Sequence, residues 1–202
     1  MIDVGHSPHV KLHTVPIRAV RMDDGFWSAR MRINVESSIP AMLQELEQHG
    51  IVDNFRQLSG GKQAPRRGPL YTDSDIYKWM EAVGYVLQSE DRPDLRATLD
   101  RLTDEILAAQ EPGGYLNTYY VDERKDKRFT EMDRSHELYC LGQLLQAAIA
   151  YYRATGNRKL LDGGIVRKMR MASGPASRLT TTLSQNVCDS TCERAGYGIA
   201  GS

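Results

Sequence analysis

The sequence predicts an all-α protein built as an array of helical hairpins. Four segments carry apolar residues at helical spacing, the links between them alternate between short and long, and no segment competes as a strand. A short link joins antiparallel neighbours, so the long links collect at the opposite end of the hairpins. This layout is typical of a toroid of paired helices that has one functional end.

The composition excludes several classes of function. The 202 residues include 26 basic and 26 acidic side chains, which give a formal net charge of +0 and no basic excess for nucleic acid. No apolar run approaches the roughly 20 residues that span a bilayer. The first residues lack the pattern of a signal peptide, so we expect a cytoplasmic protein with neither nucleic-acid nor membrane partners.

The N-terminal region is predicted to contribute little regular structure. Residues 1–14 form a flexible leader, in which a metal site on the scattered histidines is less favoured than a simple tail. Residues 15–27 predict a short extended segment and a turn at Asp23-Asp24-Gly25. Phe26 and Trp27 are expected to anchor this segment in the core. The leader histidines are His6, His9 and His13.

The first two helices are predicted over residues 32–49 and 74–89. Gly50 is a plausible C-cap of the first, and Pro40 inside it predicts a kink or a split. Thr72, Asp73 and Ser74 offer N-cap chemistry to the second. The predicted apolar stripe of the second helix is Ile76, Met80, Val83 and Leu87.

The third and fourth helices are predicted over residues 93–110 and 135–155. Pro93 suits the first turn of the third, and Gly156-Asn157 ends the fourth. The third helix has the predicted stripe Leu95, Leu99, Leu102, Ile106 and Ala109. The fourth has the predicted stripe Leu138, Leu141, Leu145, Ala148 and Tyr152.

The last forty residues differ in composition from the rest of the chain. From Gly163 onward the helical pattern fades into small polar residues, so residues 163–202 are interpreted as an atypical tail, either out of frame or disordered. Cys188 and Cys192 form a weak zinc signal because no second pair of ligands accompanies them. With Cys140, these cysteines do not make a disulfide framework.

His136 is the first candidate for a functional residue. It stands at the start of a helix after a long loop, where its imidazole can hydrogen-bond a sugar hydroxyl, although a capping or surface role is the plainer interpretation. Glu137 beside it could be catalytic, or could simply favour the helix dipole.

Other polar residues have weaker claims. Asn54, Arg56 and Gln57 in the loop after the first helix could bind a polar ligand, and Lys78 with Glu81 could form a buried ion pair. Capping is favoured over function for the segment Asp73-Ser74-Asp75. Three tyrosines of the next long loop could form the base of a sugar-binding site, but they more plausibly pack that loop onto the helix ends. They are Tyr115, Tyr119 and Tyr120.

Several segments together resemble glycoside hydrolase family 127 (GH127, formerly DUF1680), which is typified by β-L-arabinofuranosidases. They run in the family's order and cover about residues 15–162, and one departure is Gln143, where the family often has His. The matching segments are Asp24–Trp27, Asp73–Ala82, Ala109-Gln110, Gly114–Thr118, Ser135–Cys140, Ala147–Tyr152 and Ala154–Gly156.

The resemblance implies a partial (α/α)6 toroid, with an arabinose-containing oligosaccharide as partner. It also implies retaining hydrolysis by a cysteine nucleophile on a zinc held by one Glu and three Cys, with a separate Glu as acid/base. The cysteines of this chain do not fit the family's Glu-x-Cys and Cys-Cys pattern, so no catalytic or metal residue is carried over and zinc is expected only in the full-length family protein. His136 and, with a looser match, Gln57 resemble residues that bind the arabinose.

We therefore expect an N-terminal part of a β-L-arabinofuranosidase-like hydrolase that is inactive alone. A stand-alone helical module that binds carbohydrate or protein is the alternative. Another enzyme on the same toroid, such as an unsaturated uronyl hydrolase or a sugar epimerase, fits the motifs less well.

Overall fold

The computed structural model describes residues 8–9, 11–12 and 15–162, and in these ranges the protein is helical with no β-strand. The predicted leader histidines His6 and His13 and the predicted tail lie outside the described residues, as do Cys188 and Cys192. The helices are α1 (Phe26–Ile33), α2 (Ile39–Gln48), α3 (Asp53–Leu58), α4 (Asp73–Ser89), α5 (Pro93–Ala108) and α6 (Glu137–Thr155). Short 3-10 helices cover Ile17–Ala19 and Asp122–Lys127. Within these ranges no helix is long and apolar enough to cross a membrane.

Helices α4 and α6 pack side by side and run in the same direction. Near their N-termini the Cys140 thiol lies 3.6 Å from the Tyr71 carbonyl oxygen, and near their C-termini Arg18 bonds the carbonyl oxygens of both Gln88 and Ala154. Midway, a Cβ atom added to Gly84 would lie 2.8 Å from the Cβ of Ala150. The absence of a side chain at Gly84 therefore lets the two helices approach closely.

The remaining helices surround α4. The short link at residues 90–92 returns the chain into α5, as predicted, and Tyr151 on α6 donates a hydrogen bond to Asp100 on α5. On the other flank of α4, the buried Trp79 indole donates to the Ile39 carbonyl oxygen at 2.8 Å, which fixes α2. The long segments 59–72 and 109–136 consequently reach the N-terminal ends of α4 and α6, the one-ended arrangement that the link lengths predict.

The predicted stripes of α4 and α5 are confirmed. All four stripe residues of α4 and all five of α5 belong to the buried core. Met80, Leu99 and Ile106 are fully buried. The transfer of each side chain out of water stabilises the folded state by about 1.5–3 kcal/mol.

The predicted stripe of α6 is wrong by about one residue. Ala148 is buried, but Leu138 is 41% exposed, and Leu141, Leu145 and Tyr152 are only partly buried. The buried apolar residues of α6 are instead Cys140, Leu144, Ala147, Ala148, Ala150 and Tyr151, of which Ala150 lies against Gly84 of α4. Because α6 has apolar residues on two faces, periodicity alone did not distinguish the face that α4 covers.

The N-terminal helix begins earlier than predicted and does not anchor the core. Ser28 at the third helical position bonds both the backbone N–H and the carbonyl of Gly25, so α1 starts at Phe26. Phe26 and Trp27 are 64% and 69% exposed, and their predicted burial is wrong. The predicted split is a wide π-helical turn at Asn34–Ser38, which precedes Pro40 and accommodates its missing N–H.

Helix α3 replaces part of the predicted long loop, and charged side chains hold it. Arg56 donates to Glu47 at 2.6 Å and to Glu105 at 2.9 Å, which ties α3 to α2 and α5. The hydrogen bonds that Arg56 donates to Glu47, against the opposing effect of burial, raise the pKa of Arg56. Arg56 therefore serves the packing rather than the ligand role that the sequence left open.

Candidate functional site

The candidate site is a cluster of exposed side chains at the N-terminal ends of α4 and α6, which we call the aromatic cluster. The His136 ring lies 5.3 Å from the Tyr71 ring and 6.0 Å from the Tyr139 ring. Tyr71 and Tyr139 are 43% and 42% exposed, so parts of both rings face solvent beside the imidazole. Lys78 lies 5.5 Å above the Tyr139 ring. The cluster combines flat apolar surfaces with hydrogen-bonding groups, the combination that suits a sugar.

His136 is the N-cap residue of α6, but its side chain does not cap the helix. Its backbone is left-handed (φ 54°, ψ 13°), which is rare for a residue with a side chain and turns the chain sharply into the helix. This conformation explains why α6 starts at Glu137 rather than at the predicted Ser135. The imidazole is exposed, and its Nδ1 bonds the Arg134 carbonyl oxygen at 2.7 Å.

Glu137 anchors the preceding loop. Its buried carboxylate accepts a hydrogen bond from the Tyr115 hydroxyl at 2.6 Å and another from the Phe129 backbone N–H at 2.7 Å. Burial, together with the bond to Glu137, raises the pKa of Tyr115. These two bonds give Glu137 a structural role in holding the loop, which the sequence did not predict.

Asp73 ties the same loop to α4. Its carboxylate is 1% exposed and accepts hydrogen bonds from the Thr118 backbone N–H, at 2.7 Å, and from the Thr118 hydroxyl. Of the predicted N-cap candidates, Thr72 is the N-cap residue, but no side chain caps the helix, so the capping predicted for Asp73-Ser74-Asp75 is wrong. Burial raises the pKa of Asp73, although the bonds from Thr118 oppose that rise.

This raised pKa predicts a pH dependence of stability. A carboxyl group whose folded pKa lies above its unfolded value of 3.8 favours the folded state most at low pH. That contribution is lost as the pH rises through the folded pKa. Asn at position 73 keeps one acceptor and does not titrate, so the unfolding free energy of the parent minus that of Asp73→Asn should decrease with rising pH. Urea unfolding at a series of pH values measures this difference, and a difference that increases with pH would contradict the burial argument.

The loop tyrosines pack the loop, as the sequence favours. The Arg128 guanidinium lies 3.7 Å over the Tyr115 ring and forms two bonds with Glu111, at 2.9 and 3.0 Å. Arg66 and Arg124 lie over the Tyr119 ring, and Tyr120 is buried. Together with Asp73 and Glu137, these contacts hold the segment 111–134 in one conformation.

Gln57 is the second residue that the sequence predicts to bind sugar. It is on α3 rather than in a loop, its side chain is exposed, and no hydrogen bond or ring contact among the described residues joins it to His136. Its neighbour Asn54 is buried and holds both the N–H and the carbonyl of Arg67, so Asn54 is not available to a ligand. The sugar-binding roles of Gln57 and His136 remain predictions.

The other polar residues have different partners from those expected. Lys78 is exposed and pairs with Asp75 at 3.3 Å, so the buried Lys78–Glu81 ion pair is wrong. Tyr71 and Tyr139 were not singled out by the sequence, because an isolated tyrosine at a helix end carries no signal of its own. Their proximity depends on the parallel packing of α4 and α6.

The described part of the chain does not fit the family's zinc. Among its His, Cys, Asp and Glu residues no group of three could hold a metal ion. Cys140 is buried, and its burial, assisted by the charge of Asp73, raises the pKa of its thiol to about 12. A zinc ligand or nucleophile requires the thiolate instead, so we derive no step through zinc.

Comparison with solved structures defines the class of protein. The chain superimposes with a TM-score of 0.68 and 30% identity on a GH127 β-L-arabinofuranosidase from Geobacillus stearothermophilus T6, covering 84% of this chain and 32% of that one. The GH127 β-arabinofuranosidase BT3674 gives a TM-score of 0.67 at 31% identity, covering 73% of this chain and 25% of the other. The described helices are therefore part of an (α/α)6 toroid of the glycoside hydrolase type, and the predicted fold class is confirmed.

The sequence comparisons identify the family. The family model "Beta-L-arabinofuranosidase, GH127 catalytic domain" matches residues 19–185, and this chain belongs to that family. It is 32% identical over 174 residues to the non-reducing end β-L-arabinofuranosidase of Bifidobacterium longum subsp. longum, covering 74% of this chain. It spans only 26% of the length of that relative.

Proposed function

We propose that this chain forms the substrate-binding N-terminal part of a β-L-arabinofuranosidase-type glycoside hydrolase. The observation that carries the proposal is the aromatic cluster, in which His136 lies exposed between two half-exposed tyrosine rings. An arabinofuranose ring offers both apolar C–H faces and hydroxyl groups, so it could pack against the tyrosines and hydrogen-bond the imidazole. The names of the relatives support arabinofuranosides as the class of substrate.

We further propose that the 202-residue chain does not turn over substrate alone. Of the carboxylates beside the cluster, Asp73 and Glu137 are buried and bonded to the loop, and Asp75 pairs with Lys78. Each of the three already has a partner within the protein, so none is presented unpaired to the exposed rings as an acid/base or nucleophile. The zinc and the cysteine nucleophile expected of the full-length family protein, like the cytoplasmic location, remain predictions.

Sugar binding tests the proposal directly. His136→Ala should weaken the binding of methyl β-L-arabinofuranoside about tenfold, because one direct hydrogen bond contributes roughly 1–1.5 kcal/mol. Titration followed by NMR chemical shifts measures the dissociation constant. His49→Ala is the matched control, because His49 is also an exposed histidine, and its ring bonds Glu45 on α2 rather than a residue of the cluster. Equal affinities of the parent and His136→Ala would contradict the proposed site.

Turnover supplies a second test. We expect no release of arabinose from methyl β-L-arabinofuranoside by the pure chain. Turnover that disappears in His136→Ala would show that the chain holds its own catalytic groups. Binding of unrelated sugars with equal affinity would instead favour a non-catalytic binding module.

A further inference from the structure

The hydrogen bond of His136 identifies which ring nitrogen carries the proton. Nδ1 lies 2.7 Å from the carbonyl oxygen of Arg134. A carbonyl oxygen can only accept a hydrogen bond, so Nδ1 must be the donor. A neutral imidazole carries a single N–H, and Nε2 is therefore left with a lone pair.

The surroundings of the ring maintain this arrangement. The left-handed backbone of His136 brings the ring back over its own chain to the carbonyl two residues earlier. Ser135 and Glu137 on either side are buried, and Glu137 is fixed by its bonds to Tyr115 and Phe129. The Tyr71 and Tyr139 rings lie beside the imidazole, and a flip of the ring would break the bond to Arg134.

The second nitrogen is available to a ligand. His136 is exposed, and within the part of the chain that the structure describes Nε2 has no hydrogen-bond partner. Lys78, the nearest cation of the cluster, contacts Asp75 and the Tyr139 ring. Nε2, the ring nitrogen that is accessible to a ligand, is thus the one without the proton.

We propose that His136 acts as a fixed hydrogen-bond acceptor, with the proton held on Nδ1 and Nε2 receiving the hydrogen of a sugar hydroxyl. This deepens the proposed function and depends on it for the identity of the ligand. It makes His136 a specificity-determining residue, because only a group that donates a hydrogen bond satisfies Nε2. A ligand with a methoxy group in place of that hydroxyl loses the bond and binds about tenfold more weakly.

Nitrogen-15 NMR of the full 202-residue chain tests the tautomer without any ligand. The chain is labelled at its five histidines, and the spectrum is recorded at about pH 8, where an ordinary imidazole is neutral. The signals that disappear in His136→Gln identify His136. We expect its Nδ1 to resonate as a protonated nitrogen and its Nε2 as an unprotonated one. The reverse pattern, or an average of the two, would overturn the proposal whether or not the sugar binds.

Addition of methyl β-L-arabinofuranoside then tests the acceptor role. A hydroxyl that donates to Nε2 should shift the Nε2 signal and leave Nδ1 protonated. An Nδ1-protonated His136 whose Nε2 signal does not respond to a sugar that binds elsewhere would contradict the acceptor role. The same tautomer with no binding at all would instead contradict the proposed function.

Two amide variants give an independent readout. His136→Asn can replace the Nδ1–H donor to Arg134 but offers no group at the position of Nε2. We therefore expect His136→Asn to bind the sugar as weakly as His136→Ala does. His136→Gln can place an amide oxygen near the position of Nε2, so we expect it to bind more tightly than His136→Asn. The opposite order of affinities would show that the Nδ1 side, rather than Nε2, contacts the sugar.

Discussion

Gly84→Ala is expected to destabilise the protein by about 2–3 kcal/mol, although alanine is normally the better helix former. In an exposed helix interior the same change stabilises by about 1 kcal/mol. Here the added Cβ would lie 2.8 Å from the Cβ of Ala150 and 2.9 Å from its backbone carbonyl carbon. Backbone atoms cannot move aside as a flexible side chain can, so α4 and α6 must separate and lose packing.

Gly142→Ala on α6 provides the control, since among the described residues no atom outside its own helical turn lies within 4 Å of the position of its added Cβ. That variant should be stabilised by up to about 1 kcal/mol. Urea unfolding of the two variants and the parent measures both effects. Equal effects of the two substitutions would show that α4 and α6 do not pack as closely as described.

Asp73→Ala is expected to cost about 3 kcal/mol at neutral pH. The substitution removes the acceptor of two hydrogen bonds and leaves the buried backbone N–H of Thr118 without a partner. Because Thr118 belongs to the segment that leads to His136, we also expect weaker binding of methyl β-L-arabinofuranoside. Urea unfolding and sugar titration measure the two effects separately.

Asp75→Ala is the matched control for this substitution. Asp75 lies two residues further along α4 and is half exposed, and its ion pair with Lys78 is at the surface. Such a pair contributes at most about 1 kcal/mol, so the stability should hardly change. A loss at Asp75 as large as that at Asp73 would contradict the anchoring role of Asp73.

The sequence predicted the helices whose apolar residues form a single stripe. α4 and α5 were placed within two residues because their stripes and links were unambiguous. α6 was placed equally well, but its buried face was not, since only its packing against α4 selects one of its two apolar faces. The short helix α3 was missed because the charges of Arg56 and its carboxylate partners stabilise it through contacts distant in sequence.

The sequence identified one residue of the candidate site but not the side chains that surround it. The segment Ser135–Cys140 indicated His136, but no sequence pattern reveals a left-handed histidine or the tyrosine rings around it. Asp73 and Glu137 were assigned to capping, dipole or catalytic roles because their partners, Thr118, Tyr115 and Phe129, lie in a loop without periodicity. Long-range hydrogen bonds of this kind depend on the folded topology.

The anchored segment 111–134 contains both residues that are held in place and a largely exposed turn between them. Its fixed points, Thr118, Arg128 and Phe129, lie on either side of the exposed turn Asp122–Lys127. Apart from Arg124, whose guanidinium lies over the Tyr119 ring and bonds its carbonyl oxygen, sequence changes in that turn would leave the hydrogen bonds on both sides intact. The other positions of the turn can therefore diverge between relatives, or be redesigned to contact other groups, while the His136 ring stays in place.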